Sequence, residues 1–587
     1  MGVDVFFVLS GYLIAAIAAY RDQSGGFSAV NFYAARIRRL FPALLIVLIA
    51  NLAAGWWLLL PSEFSALARH LKGSLGFYEN YVLSREAGYF TQEVALKPLA
   101  HLWSLGVEAQ FYLWFPVLFY GILKRPALAW LGLGGLVLGS FFWAVSSAGF
   151  DAGDLYLQPL SRFWELAIGV SLARLERGWP FLPGASLPGS VFHRLREWVG
   201  LGLILGSAGA LNPGDPYPGW TTLGPVMGTA LLVAAHRPGV VGRGVLENRI
   251  LVELGLISYP LYLWHWSLRS FFLIEWGHDP SISEGLVLLS LSVLLARLTY
   301  RGLEVPIRRL SPGSHLQARL LAVAFGVFGL AQSVLMTHGY PHRFKDLAIL
   351  EPGGYPVEWR IGQCLLDGRQ RPADFSTECF SQGEGPKEIL LYGDSFAAQL
   401  LPGLSAALIG EARLTQATMV ACFPGHHYQA INARHCPELA DFVDALVQGR
   451  RFDRVVIAAN WEKYPKELVF SGLSETLARF KAQGLKVTVF GPPPRWSSPL
   501  PQRMARVYRD HPNESLPTRL PDPSFSVTAA EDRRLAQWVR GLGVDYVSLV
   551  ERLCDDHGCL VRLDDQLTSM DEEHLTVSAA RWLFESQ

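Results

Sequence analysis

Apolar segments of membrane-spanning length recur through the first 338 residues of this chain and stop there. About 20 apolar residues in a helix satisfy their own backbone hydrogen bonds and reach across a bilayer. Ten such segments are expected, near 3–20, 41–60, 106–123, 127–147, 161–175, 198–211, 220–236, 250–274, 284–299 and 317–338. Half of the residues are hydrophobic and only 17% are charged, the balance of a membrane protein carrying a soluble part. At 587 residues the chain is also too long for one domain. Residues 1–338 are therefore read as a polytopic helical membrane domain, 339–385 as a connector and 386–587 as a soluble α/β domain.

Loop charge sets the orientation. Basic residues crowd loops 21–40, 124–126, 174–197, 237–249 and 300–316, among them Arg36, Arg38, Arg39, Lys124, Arg125, Arg194, Arg196, Arg308 and Arg309. Loops 148–160, 212–219 and 275–283 contain no Lys or Arg. The positive-inside rule places the basic loops in the cytoplasm and both chain ends outside. All six cysteines, Cys364, Cys379, Cys422, Cys436, Cys554 and Cys559, fall beyond the last span. An even number on the outward side implies disulfides formed in an oxidising compartment. Fifteen pairings are open; the local ones, 364–379, 422–436 and 554–559, are expected. With no C-x-x-C pair, no metal site is expected. The 51 basic residues balance the 51 acidic ones, and no basic patch interleaved with aromatics points to nucleic acid.

From 386 onward, short β-rich runs alternate with amphipathic stretches. Strands are expected at EILLYGD (388–394), RVVIAANW (454–461), KVTVFGP (486–492) and DYVSLV (545–550), and helices at 396–409, 437–449, 470–483 and 528–541. Such alternation builds a mainly parallel sheet whose active site gathers at the carboxyl ends of its strands. Gly393-Asp394-Ser395 follows the first of these strands and opens a helix. That turn presents a hydroxyl beside free backbone N–H groups able to stabilise an oxyanion. Near the chain's end, Asp571 stands three residues before His574, a spacing that lets the carboxylate orient the imidazole. Asn460 and Gly425 are candidate oxyanion donors. Either motif alone is a common turn; both in one α/β domain make Ser395, His574 and Asp571 the candidate catalytic set. This arrangement resembles the SGNH hydrolase-like family over residues 386–587. The resemblance implies Ser395 as nucleophile, His574 as base and Asp571 as its partner, while no clear glycine block is present.

The spans carry polar residues of their own, which are costly in a bilayer. Glu108, Arg162, Glu165 and His265 are expected to line one polar cavity, with Tyr259 nearby; the plainer alternative is a structural ion pair around Arg162. Arg36, Arg38 and Arg39 stand just ahead of a span, placed to set topology or to grip phosphates of a cytosolic donor. The strings GVDVFFVLSGYLI (2–14), YAARIRRLFPAL (33–44), HLWSLGVEAQFYLWFP (101–116), RFWELAIG (162–169), ISYPLYLWHW (257–266) and EVPIRR (304–309) together resemble membrane-bound acyltransferase family 3 over residues 1–310. Fused to an SGNH domain, this resemblance implies O-acetylation of lipopolysaccharide O-antigen, peptidoglycan or another surface polysaccharide. The implied donor substrate is cytoplasmic acetyl-CoA, faced by Arg36, Arg38 and Arg39, with no bound cofactor. The implied acceptor is a surface polysaccharide or lipid-linked glycan, and the implied setting is the bacterial inner membrane with the C-terminal domain in the periplasm or outside. The resemblance also implies an eleventh helix, ending in a histidine, ahead of GVDVFF. Met1 directly precedes that block, and none of His70, His101 and His265 is an obvious replacement. Two rivals use the same residues differently: an esterase that removes acyl groups from surface glycans, and a transporter with an accessory outer domain.

Overall fold

The computed structural model describes residues 1–24, 26–86, 94–146, 152–178, 191–211, 217–234, 241–310, 314–344, 355–428, 435–511 and 514–585. Parts of the loops 148–160, 174–197, 212–219 and 237–249, and of the connector 339–385, lie outside these residues. Two compact units form, one from the chain up to Gly339 and the other chiefly from Tyr340–Gln587.

The first unit is helical, and each of the ten expected segments falls on a helix. Among the described residues, six helices are long and apolar enough to cross a membrane: Gly2–Gln23, Ala29–Leu58, Ala100–Leu123, Ala127–Ser146, Ile282–Arg309 and His315–Met336. Two expectations are corrected. The 250–274 segment divides into Arg249–Leu256 and Ser258–Trp276. Pro260 explains the break, because its ring opposes the carbonyl four residues back, at Leu256. The second helix, α2, starts at Ala29, so Arg36, Arg38 and Arg39 lie within it rather than ahead of it. After α2 comes α3 (Pro61–Leu75), which buries Phe64, Leu67, Ala68 and Leu71 on one face and exposes Arg69 on the other. It is the surface type of amphipathic helix, not a span.

Small residues set the closest crossing. The first helix, α1 (Gly2–Gln23), packs on helix Phe163–Gly178 through Gly11 and Gly169. A Cβ on Gly11 would stand 2.0 Å from the Leu166 carbonyl oxygen, and one on Gly169 2.1 Å from that of Val8. Backbones meet here as in small-residue membrane contacts. Phe7, Ile14, Leu166 and Val170 are buried around the crossing.

The second unit is built on a six-stranded parallel sheet. In spatial order it runs β1 (Leu365–Leu366), β3 (Ala412–Met419), β2 (Lys387–Gly393), β4 (Arg454–Ala458), β5 (Lys486–Phe490) and the strand Asp545–Val547. Every neighbouring pair is parallel. Leu390, Val455, Ile457 and Val489 are buried on one face, and Leu391, Val456, Ala458 and Phe490 on the other. Burial on both faces is why these strands read as continuous apolar runs. The four expected strands are present, but β3 was not foreseen, its ARLTQATM lacking the unbroken apolar run of its neighbours. The helix expected at 396–409 is two pieces, Ser395–Ala398 and Leu401–Ala407.

All three expected disulfides are present: Cys364–Cys379, Cys422–Cys436 and Cys554–Cys559. The first anchors connector residues in the second unit. Beside it, β1 pairs with β3, and Trp359, fully buried, joins the core.

The α1 crossing yields a stability prediction. Gly11→Leu should lower the thermal stability of the detergent-solubilised chain by about 3 kcal/mol or more, because overpacked backbone cannot move aside. Gly135→Leu, where a Cβ would meet nothing within 4 Å, should leave the melting temperature nearly unchanged.

Candidate active site

The site begins where β2 ends. Gly393 has φ +147°, and a Cβ there would stand 1.8 Å from the Ala458 carbonyl oxygen, so only glycine fits. Asp394 then caps the next helix, its Oδ1 accepting from the Phe396 N–H at 2.8 Å. Its Oδ2 accepts from the Asn460 N–H at 2.9 Å and from the Tyr464 hydroxyl at 2.7 Å. Burial pushes the Asp394 carboxyl up to about 6, against the opposing pull of those hydrogen bonds and of His574. This carboxylate fastens the serine-bearing turn to the end of β4. Because β2 lies between β3 and β4, Ser395 occupies the point where the chain switches direction across the sheet, the usual ligand position in such folds.

Ser395 Oγ lies 3.0 Å from His574 Nε2, and His574 Nδ1 lies 2.7 Å from Asp571 Oδ2. Asp571 Oδ1 accepts the backbone N–H groups of Glu573 (2.8 Å) and His574 (2.7 Å). Burial raises the Asp571 pKa, but the imidazole's charge and these hydrogen bonds outweigh it and hold the carboxyl at about 2. For His574, burial favours the neutral ring; the Asp571 carboxylate, aided by Glu573 and Asp394, overrides it and raises the pKa above the ordinary histidine value. The loop bearing the histidine is pinned by the Leu575 N–H donating to Gln399 Oε1 at 2.8 Å and by the Ser569 hydroxyl donating to the His574 carbonyl at 2.9 Å. The geometry suits nucleophilic acyl transfer: a hydroxyl, a base and a carboxylate that orients the base.

Sequence reasoning missed the wall of the site. Tyr355 donates to Asp571 Oδ2 at 2.8 Å, and the rings of Phe396, Trp359 and Tyr355 stand 5.0, 5.6 and 6.0 Å from the imidazole. Tyr355 and Trp359 belong to the connector, whose sequence signals were its glycines, prolines and two cysteines, none of which points to these aromatics. The oxyanion expectations change. Asn460 Nδ2 donates to Glu573 Oε1 at 3.0 Å, and the Gly425 N–H donates to the Phe423 carbonyl at 2.8 Å. In this conformation the single Gly425 N–H is engaged, as is one of the two hydrogens on Asn460 Nδ2.

The membrane residues divide into separate groups instead of sharing one cavity. Glu108 accepts from the hydroxyls of Ser10 and Tyr112. Together with Arg36, Arg39, Tyr259 and Tyr262 it lines a cavity of about 110 Å³. The Arg36 guanidinium lies over the Tyr112 ring at 5.2 Å, and its buried Nε has no hydrogen-bond partner. Arg38 is not part of this lining. Arg162 instead bonds Asp4 Oδ1 at 2.9 Å and Glu165 Oε1 at 3.0 Å, all three being buried. The α1 crossing explains this, since it carries Asp4 to the start of helix Phe163–Gly178. His265 is exposed, with Nδ1 2.7 Å from the Tyr262 carbonyl oxygen.

Known proteins resemble both units. Residues 1–301 match the acyltransferase domain family, and residues 363–586 match the SGNH domain fused to AT3 domains. A Staphylococcus aureus (strain COL) protein named as an O-acetyltransferase is 30% identical over 326 residues, covering 53% of this chain and 52% of its own. A Komagataeibacter xylinus protein named as a membrane-bound transacylase is 33% identical over 273 residues, covering 45% of this chain and 65% of its own. The chain thus spans only about half to two thirds of these relatives' length. Among solved structures, the periplasmic domain of a Salmonella ser. Paratyphi A lipopolysaccharide acetyltransferase aligns with a TM-score of 0.32 at 21% identity, over 35% of this chain and 84% of that one. With 301 of its 587 residues inside the first match, the chain belongs to the acyltransferase domain family, here joined to an SGNH domain.

Proposed function

We propose that this chain is an O-acetyltransferase of the bacterial inner membrane that moves an acetyl group from cytoplasmic acetyl-CoA to a hydroxyl of a cell-surface polysaccharide, lipopolysaccharide O-antigen being one such acceptor. The observation that carries this reading is the hydrogen-bonded line Ser395–His574–Asp571 in a chain whose membrane unit belongs to an acyltransferase family. The three disulfides and the basic loops support an outward-facing second unit.

Ser395 Oγ attacks the acyl carbonyl carbon while His574 Nε2 takes the hydroxyl proton. The bond between the acyl carbon and the group that delivered it breaks, that group leaves with the proton from His574, and Ser395 is left as an acyl ester. A sugar hydroxyl then gives its proton to His574 as its oxygen attacks the ester, and the Ser395 oxygen departs with that proton. One acyl group has moved and the enzyme is restored. In the membrane unit, Arg36 and Arg39 border the cavity at Glu108 and Tyr259, and the unbonded Arg36 Nε suits an anionic donor. Arg162, Glu165 and His265 are assigned no part in the acyl step.

In a deletion strain complemented with the gene, alkali-labile acetate on surface polysaccharide should return with the intact chain and not with Ser395→Ala. Acetate that rises on deletion would identify an esterase instead. The pH profile tests the base. His574 acts only when neutral, and Asp571 raises its pKa, so turnover of an activated acetyl ester should fall as pH drops through a value above 6.5, the ordinary histidine pKa. Asp571→Asn removes the raising charge, so its acid limb should move to lower pH, with turnover reduced by about 10³–10⁴.

A further inference from the structure

Between α3 and the short helix Glu79–Arg85, the first unit holds another cavity, of about 530 Å³, that the acyl chemistry leaves unused. Arg69, Lys72, Arg85, Tyr78, Tyr81 and Glu86 line it. Three of these side chains are cations and one is an anion. That anion is already engaged: Glu86 lies 2.7 Å from Lys97 Nζ, 3.1 Å from His70 Nε2 and 3.6 Å from Arg69 Nε. Among the described residues, Lys72 meets neutral groups, the Gln332 amide oxygen at 2.7 Å and the face of the Phe328 ring at 4.9 Å. Arg85 is exposed and, among the described residues, pairs with no carboxylate. The cavity therefore carries a surplus of positive charge and offers an array of donors: two guanidiniums, an ammonium and two phenols.

Its level in the bilayer is marked by the helices around it. The apolar helix α2 ends at Leu58, and Leu335, near the end of the apolar helix His315–Met336, forms part of the lining. Tyr78 and Tyr81, both exposed, stand in the lining, as aromatics do at a membrane–water boundary. Lipid phosphates are the anions concentrated at that depth, and arginine forks bind phosphate oxygens in pairs. We infer that Arg69, Lys72 and Arg85 form a binding site for the phosphate group of a membrane lipid. The volume admits a headgroup larger than phosphate alone. This site is independent of the acyl-transfer reading and stands on the membrane unit alone.

The test uses the full chain in a maltoside detergent and native mass spectrometry with three probes: phosphatidic acid, diacylglycerol with the same tails, and inorganic phosphate. Phosphatidic acid should be retained at about tenfold lower concentration than diacylglycerol, and Arg85→Glu should weaken its retention about tenfold or more. Lys72→Arg should retain it. Arg85 is exposed, so its variant should melt as the parent does, which separates lost binding from lost folding. Equal retention by Arg85→Glu and the parent would overturn the assignment. So would equal retention of diacylglycerol. Displacement of phosphatidic acid by an equal concentration of inorganic phosphate would assign the site to a free anion and overturn the lipid.

Discussion

The second unit's chemistry depends on one buried carboxylate that takes no part in it. Asp394 accepts three hydrogen bonds, from Phe396, Asn460 and Tyr464, and so ties the end of β2 to the end of β4. Without that tie, the turn at Gly393 would have no reason to hold Ser395 within 3.0 Å of a histidine 179 residues away. An unsatisfied carboxylate at this depth would be costly; three donors make it a rigid joint. Asp394 and Asp571 thus divide the work of two neighbouring acids. One is pushed up to about 6 by burial and holds the backbone, while the other is held at about 2 and orients the base.

The membrane unit repeats this logic with different means. Its closest crossing needs glycine at positions 11 and 169, where backbones touch, and that approach brings Asp4 to Arg162. Low dielectric strengthens a buried pair and equally punishes a broken one. The Asp4–Arg162–Glu165 group therefore locks two helices in register.

Much of this was legible in the sequence, for identifiable reasons. Spans announce themselves by length and hydropathy, since the bilayer permits little else, and local cysteine pairs follow from short loops. Ser395, His574 and Asp571 were readable because a parallel sheet collects such groups at one edge. What escaped depended on side chains from distant segments. The strand β3 was hidden by its polar residues Arg413, Thr415, Gln416 and Thr418. Thr418 turns its hydroxyl to the Cys364 carbonyl at 2.9 Å, so its polarity serves the junction with the connector. Tyr355 and Trp359 carried no motif, and only the fold brings them to His574. The expectation of one shared membrane cavity failed because a list of charges says nothing about which helix faces which.

That failure points to a distinction that the two polar groups of the membrane unit make plain. Arg162 has its guanidinium matched by carboxylates at 2.9 and 3.0 Å and borders no part of the Glu108 cavity. Arg36 has aromatic faces for neighbours, a buried Nε without a partner and an open volume beside it. Both are arginines in apolar helices, and by sequence they look alike. The energetics differ: a matched charge has recovered part of what it lost by leaving water, whereas an unmatched donor facing a cavity still has that interaction to make. Partner satisfaction, rather than charge alone, separates the residue that holds helices together from the one poised to meet a ligand.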